Sequence, residues 1–302
     1  MATPKLLYRL KGLRGVAVQK TYIGAKYIYV QQLVDQQQNM IISRALKPGS
    51  GVSEVNFKGA EVTRFNNFGH CQTLDFFEGK NKEPYWLVTT RSAKATTSWS
   101  NQVARITFDK KVHEGNTSVT RLSNISSAYP TSFKMKRLEA AVSTDKKKIL
   151  IASIDTNDTM HPVLYDVAQI NAVLDRVEST HGQKSLSEVK GGLFGKVIPS
   201  FAKAANSYGS IQGLELSDGK AIYVSGGGVD AKAPVISKFY WNSTTRSSLI
   251  SLSHSDWNGF FPEPEGLQLG STLSITVANH QIGQGNPTVA NNVYEVDKHL
   301  LG

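Results

Sequence analysis

Five positions in this sequence place an amide or carboxyl side chain in the same local setting. Gln72, Glu139, Gln212 and Glu265 each open an apolar run of alternating period, and Gln19 holds a looser version of that place. If the runs are strands set around an axis, the five side chains form a ring at one mouth of a central channel. Two carboxylates among amides can hold Ca²⁺ through oxygen ligands, or they can bind a sugar or an amine. The same positions can instead satisfy backbone groups between neighbouring repeats. His70 lies two residues before Gln72, shares its strand face, and joins the ligand-binding set. Cys71 points the other way, which argues against a Cys–His pair and for a buried, inert thiol. There is no Gly-x-Ser-x-Gly elbow, no His-Glu-x-x-His and no phosphate loop. His70, His161, His254 and His280 fall in different repeats, so their spacing assembles no metal cluster.

The elements that must position the ring are read most clearly at Ser210–Gly226. Leu214 and Leu216 alternate with polar residues, Ser217 to Lys220 form an Asp-Gly turn, and Ile222 to Val224 make a second apolar run. This is the pattern of a β-hairpin. The same outline recurs at Glu139–Ala152, at Glu265–Val277, at Gln72–Val88 with a longer turn, and loosely at Gln19–Val30. A third apolar run trails most copies, as at Ile41–Ala45 and Val235–Trp241. The period is irregular, at roughly sixty residues, and small antiparallel sheets repeated in this way signify a propeller. Five copies predict an all-β, five-bladed β-propeller occupying residues 1–302 as a single domain. Lys5–Leu10 reads as a lone strand whose partner lies within Ser274–Val296, closing the ring. Trp86 and Trp99 read as blade-packing aromatics.

The largest departure from the repeat is Asp166–Gly209. Val167, Ile170, Val173, Leu174 and Val177 share one helical face, which predicts a short helix ending before Thr180. Further on, Leu193, Phe194, Val197, Ile198 and Phe201 can share an apolar face, with Lys196 and Lys203 cationic. Two readings stay open for that stretch. It can insert at an anionic membrane surface or contact a receptor, or it can be an ordered cap, since Pro199 and the glycines weaken a helix.

Lys and Arg number 34 against 24 Asp and Glu, a net charge of +10 with pI ≈ 9.5. Polyanionic partners follow: nucleic acid, anionic lipid or the phosphate-rich polymers of a Gram-positive wall. No zinc finger, RNA-reading strand or recognition helix supports a specific nucleic-acid role. The Lys146–Lys148 run reads as a solvated hairpin tip. A single cysteine excludes an intrachain disulfide, and no run of 18 apolar residues is present. Lys5 and Arg9 interrupt the N-terminal apolar run, so it does not read as a secretory signal. A mature form whose leader had been removed would look the same.

Gly69-His70-Cys71-Gln72-Thr73, Glu139-Ala140-Ala141-Val142-Ser143 and Ser210-Ile211-Gln212-Gly213 resemble the repeat motifs of the helveticin J family. Val18-Gln19-Lys20 followed by Lys26-Tyr27-Ile28-Tyr29 does so too, and the similarity runs from about residue 16 to the C-terminus. The family comprises large, heat-labile bacteriocins of lactobacilli. Where its pattern reads His-Thr-Gln-Thr this chain has Cys71, which weighs further against a chemical role for the thiol. The resemblance implies an extracellular protein that kills related bacteria, and it brings no catalytic residues to carry over. The expectation is therefore a non-enzymatic antibacterial protein that adsorbs to the cell envelope, to an anionic wall polymer or glycan, with possible contact at the membrane surface. No cofactor is implied, calcium at the ring excepted. A calcium-assisted hydrolase at the channel and a lectin-like wall module are the alternatives.

Overall fold

The computed structural model describes residues 1–92, 97–206, 210–227, 232–283 and 285–302, and five mainly antiparallel sheets make up its β-propeller. Strands are numbered β1 to β23 in chain order. Blade one is built from β2 (Val18–Ile23), β3 (Tyr27–Val34), β4 (Asn39–Leu46), β6 (Glu61–Asn66) and β10 (Val112–Glu114), from the axis outward. Blade two holds β7 (Asp75–Glu78), β8 (Pro84–Thr90), β9 (Gln102–Ile106), β11 (Thr120–Ser123) and β15 (Gln183–Ser185). Blade three holds β12 (Met135–Val142), β13 (Lys148–Asp155), β14 (Met160–Asp166) and β16 (Leu193–Phe194). Blade four holds β17 (Ile211–Leu216), β18 (Ile222–Gly226), β19 (Val235–Phe239) and β20 (Ser248–Ser251). Blade five holds β21 (Phe260–Leu269), β22 (Leu273–Gln281), β23 (Thr288–Val296), β1 (Lys5–Lys11) and β5 (Glu54–Asn56).

Each blade buries both faces, one against each neighbour, so the hydrophobic core is divided among the blade junctions. Met40, Ile42 and Phe65 of blade one meet Leu74, Trp86 and Val88 of blade two. Leu87 and Leu122 meet Leu138 and Ile151 at the next junction, and Leu150 and Leu164 meet Leu214 and Val224 at the one after. Tyr223 and Ile236 pack on Leu267 and Ile275. Leu10 and Val293 of blade five pack on Val18, Ile28 and Val30 of blade one and complete the circle. Burial on both faces also explains why strands such as β13 are buried almost throughout rather than at alternate positions.

The N-terminal strand closes the ring as the sequence predicts. β1 runs antiparallel to β23, with Lys5 opposite Glu295 and Leu10 opposite Asn291. A second device is not visible in the sequence. The long link before the outer strand of one blade lends a short parallel strand to the outer edge of the blade before it. Thus β5 lies against β1, β10 against β6 and β15 against β11. Ala2 bridges Leu252 beside blade four in the same sense. These additions cover sheet edges that would otherwise offer unpaired backbone groups.

The Asp166–Gly209 insertion is part of this lacing, and residues 207–209 fall outside the described residues. Its helix α1 (Val167–Leu174) starts at a capping box formed by Asp166 and Gln169 and buries Ile170 and Leu174 at the junction of blades two and three. The stretch 191–203 is not one helix. Gly192 packs on the Tyr165 ring and Gly195 on Trp241, approaches that a β-carbon would block. Leu193 and Phe194 become an edge strand on β14. Only α2 (Phe201–Ala205) is helical, after Pro199.

Candidate functional site at the channel mouth

The inner strands β2, β12, β17 and β21 and the extended residues 70–74 ahead of β7 converge on the axis. Their close approach depends on glycine: a β-carbon on Gly213 would stand 2.9 Å from the Glu265 carbonyl oxygen, and one on Gly266 would stand 2.7 Å from that of Gln19. β-Bulges re-aim several inner strands at this level. The register shifts across Gln19 in β2, across Gln212 in β17 and across Glu265-Gly266 in β21.

Gln19, Gln72, Gln212, Glu139 and Glu265 are brought into one hydrogen-bonded network, as the repeat outline predicts, although not all by opening a strand. β12 begins at Met135 and β21 at Phe260, so Glu139 and Glu265 lie mid-strand, while Gln72 precedes β7. The starts of β12 and β21 carry Lys136, Pro262 and Pro264, which read as loop residues. An innermost strand has one unpaired edge facing the channel, where proline is tolerated.

Gln72 is the centre of the network. Its Nε2 donates to Gln212 Oε1 at 2.7 Å and to Gln19 Oε1 at 3.4 Å, and its Oε1 accepts from Arg137 Nη2. Gln19 Nε2 donates to Glu265 Oε1 at 3.0 Å. Arg137 Nη2 also donates to Glu139 Oε1 at 2.6 Å and to the Ile211 carbonyl. All five blades are thereby joined through side chains.

Above the network lies a cavity of about 360 Å³ lined by Gln19, His70, Gln72, Gln212 and Glu265. Glu139 does not line it, being held behind Arg137 and Thr73. Sequence reasoning missed Glu263, His280, Trp99 and Arg137. Glu263 Oε1 accepts from Gln212 at 3.0 Å, and its Oε2 lies 2.8 Å from His280 Nε2. Trp99 is not a blade-packing residue but borders the mouth, its ring 4.4 Å from His70 and under the Arg137 guanidinium at 4.2 Å. The only signal for them was distance along a strand: Glu263 stands two residues before Glu265 and so shares its side of β21.

The electrostatics separate the mouth into neutral and charged halves. Burial, with Glu263 adding repulsion, holds the Glu265 carboxyl well above its usual range, which favours its neutral form. Burial and the nearby Arg137 push His70 down to about 3, so its ring is neutral. His70 Nδ1 lies 2.7 Å from Gln37 Oε1, and with that amide oxygen accepting, Nε2 is left as an acceptor. Glu265 Oε2 and His70 Nε2 are buried without a partner among the described residues. His280 is shifted upward, first by its hydrogen bond to Glu263. The mouth therefore offers donors, acceptors and an aromatic face to an uncharged polar ligand. A calcium ion would have to displace Arg137 from Glu139 and ionise Glu265, and among the described residues no group of three or more His, Cys, Asp or Glu is placed to hold a metal.

Below the mouth the axis is filled. Lys20 Nζ sits 2.9 Å from Asp75 Oδ1 and 2.5 Å from Glu215 Oε1. These residues belong to blades one, two and four, so their meeting point lies across the centre of the ring. Cys71 is fully buried and its thiol is pushed up to about 11 by burial, as expected of an inert cysteine.

The proposed contact residues of the insertion divide. Leu193, Phe194, Lys196 and Lys203 are exposed. Phe201 is fully buried, 5.2 Å from the Phe239 ring, and presents no side chain to a membrane or receptor.

The family profile described as bacteriocin helveticin-J matches residues 2–299. Bacteriocin helveticin-J of Lactobacillus helveticus is 27% identical over 314 aligned positions, covering 92% of each chain. Among solved structures, the tail fiber of Staphylococcus aureus phage P68 superposes with a TM-score of 0.59 at 14% identity, over 97% of this chain and 52% of that one. A thermostable family-43 glycoside hydrolase gives 0.51 at 10% identity, over 95% and 91%. At these identities the two structural likenesses speak for the fold alone.

Proposed function

Because the chain belongs to the bacteriocin helveticin-J family, we propose that it is a secreted antibacterial protein that docks on the envelope of related Gram-positive cells through its channel mouth. The observation that carries the docking site is the pair of buried, unpartnered groups, Glu265 Oε2 and His70 Nε2, facing a polar cavity beside Trp99. Leaving such groups without a partner costs about 1–3 kcal/mol each, so a ligand that satisfies them is favoured. A wall saccharide matches in kind, with hydroxyls for the amides and a C–H face for the indole. The +10 charge draws the protein to the anionic wall polymer. The exposed Leu193, Phe194 and Lys196 supply a surface for a later membrane contact.

The test is purified protein on live indicator cells, following viability, turbidity and membrane potential together, with Gln212→Ala and Trp99→Ala alongside. Both variants are expected to fold, to adsorb about tenfold less and to lose killing in proportion. Wild-type adsorption by both folded variants sinks the mouth as the docking site. Adsorption of the parent protein without loss of viability identifies a lectin-like wall module instead.

A channel-centred hydrolase is the second reading, favoured by the upward shift of the buried Glu265 carboxyl, the direction suited to a general acid. Soluble sugar released from purified walls, and abolished by Glu265→Gln, would establish it. Loss of that release on chelation would bring in calcium.

A further inference from the structure

On the opposite face, where β2 turns into β3, a second cavity of about 620 Å³ opens between blades one and two. Its volume lies within the roughly 300–1,000 Å³ typical of small-ligand sites. Its walls are aromatic. Tyr22, Tyr29 and Phe76 crowd the Trp86 ring at 5.0, 4.5 and 5.6 Å, and Phe108 stands 5.5 Å from Tyr29. Tyr27 and Tyr85 complete the lining, and every one of these rings except Trp86 is part-exposed. Six part-exposed rings in one concavity leave apolar surface in water that a monomer ordinarily covers.

The charges around the rings restrict what fits. The Arg44 guanidinium lies 4.3 Å from the Tyr27 ring centre and 4.7 Å from that of Phe108. Lys26 reaches Tyr27 at 5.4 Å, and Lys146 crosses from blade three to Tyr22 at 5.6 Å. Ring faces already serving protein cations do not suit a quaternary ammonium ligand. Glu83 lines the cavity with Lys26 and Arg44, and Glu61, just outside the lining, is shared as an ion-pair partner by Arg44 and Lys110, so cations still outnumber carboxylates around the cleft. The free ring surface suits the C–H face of a pyranose, whose hydrogens carry partial positive charge. The surplus cations suit an anionic substituent on that sugar.

We propose that this cleft binds a pyranose glycan bearing phosphate or carboxylate groups, as a second site separate from the channel mouth. The assignment stands whether or not the mouth is the docking site.

The test uses the full chain and ¹⁵N-indole NMR, because Trp86 reports on the cleft and Trp99 on the mouth. A glucuronic-acid disaccharide and glucose 1-phosphate are titrated beside maltose, inorganic phosphate and choline. The two anionic sugars should shift the Trp86 signal saturably, maltose should bind several-fold more weakly, and phosphate and choline should leave the signal in place. Tyr27→Ala should weaken the acidic disaccharide about tenfold. The wild-type titration decides the matter even where that variant is unstable. A shift at Trp99 alone puts the ligand at the mouth and overturns the cleft assignment. Binding of choline, or no response at Trp86 to either anionic sugar, overturns it as well.

Discussion

Lys20 holds two carboxylates, Asp75 and Glu215, that come from different blades. One ammonium cannot neutralise both, and burial together with Asp75 pushes Glu215 up to about 8. The folded protein therefore binds more protons than the unfolded chain between the ordinary carboxylate range near 4.3 and about pH 8. Stability must fall as pH rises through that window. Urea denaturation at a series of pH values should show the decline, and Glu215→Gln should flatten it. Equal slopes for the two proteins would show that Glu215 ionises normally. None of this is legible in the sequence, because Lys20, Asp75 and Glu215 sit on three separate repeats with no local signal that they meet. Gln72 and its ring partners were legible because the repeat places one polar side chain at an equivalent point of each blade. Arg137, which ties Gln72 to Glu139, has no counterpart in the other copies and so stayed hidden.

Elements show the same division. Hairpins announce themselves through turns such as Ser217–Lys220, and all five were found. Outer strands such as β10, with Val112, His113 and Glu114, have three residues and no alternation to detect. The insertion is where a local pattern misled most, since an apparent helical face at 193–201 is divided between an edge strand and a buried helix. Its two phenylalanines should respond differently to serine. Phe201→Ser opens a cavity against Phe239 and should cost about 3–5 kcal/mol, seen as a large drop in melting temperature. Phe194 is 40% exposed on a sheet edge, so Phe194→Ser should cost less than about 1 kcal/mol. If the exposed edge contacts membrane, that folded variant should still adsorb to cells but lose depolarisation. Comparable destabilisation by both changes would show Phe194 to be a packing residue.

For the whole molecule, the net charge of +10 acts at the range of the ionic atmosphere, about 10 Å at 0.1 M salt. Adsorption to sensitive cells should weaken steadily with added salt and on cells stripped of anionic wall polymer. Salt-independent adsorption, equal on stripped and intact cells, would remove charge from the first step. The closure of the ring has a consequence in time. Translation delivers β1 early, and its partner β23 follows roughly 280 residues later, on the order of half a minute at about 10 residues per second. Middle blades can zip from neighbouring strands as they emerge, but blade five cannot be completed until both ends of this interval exist. Throughout that wait Leu10 lacks Val293, its blade-five neighbour at the junction with blade one. The junction of blades five and one can therefore be completed only when the first strand meets β23, and closing the circle is the last step open to the chain.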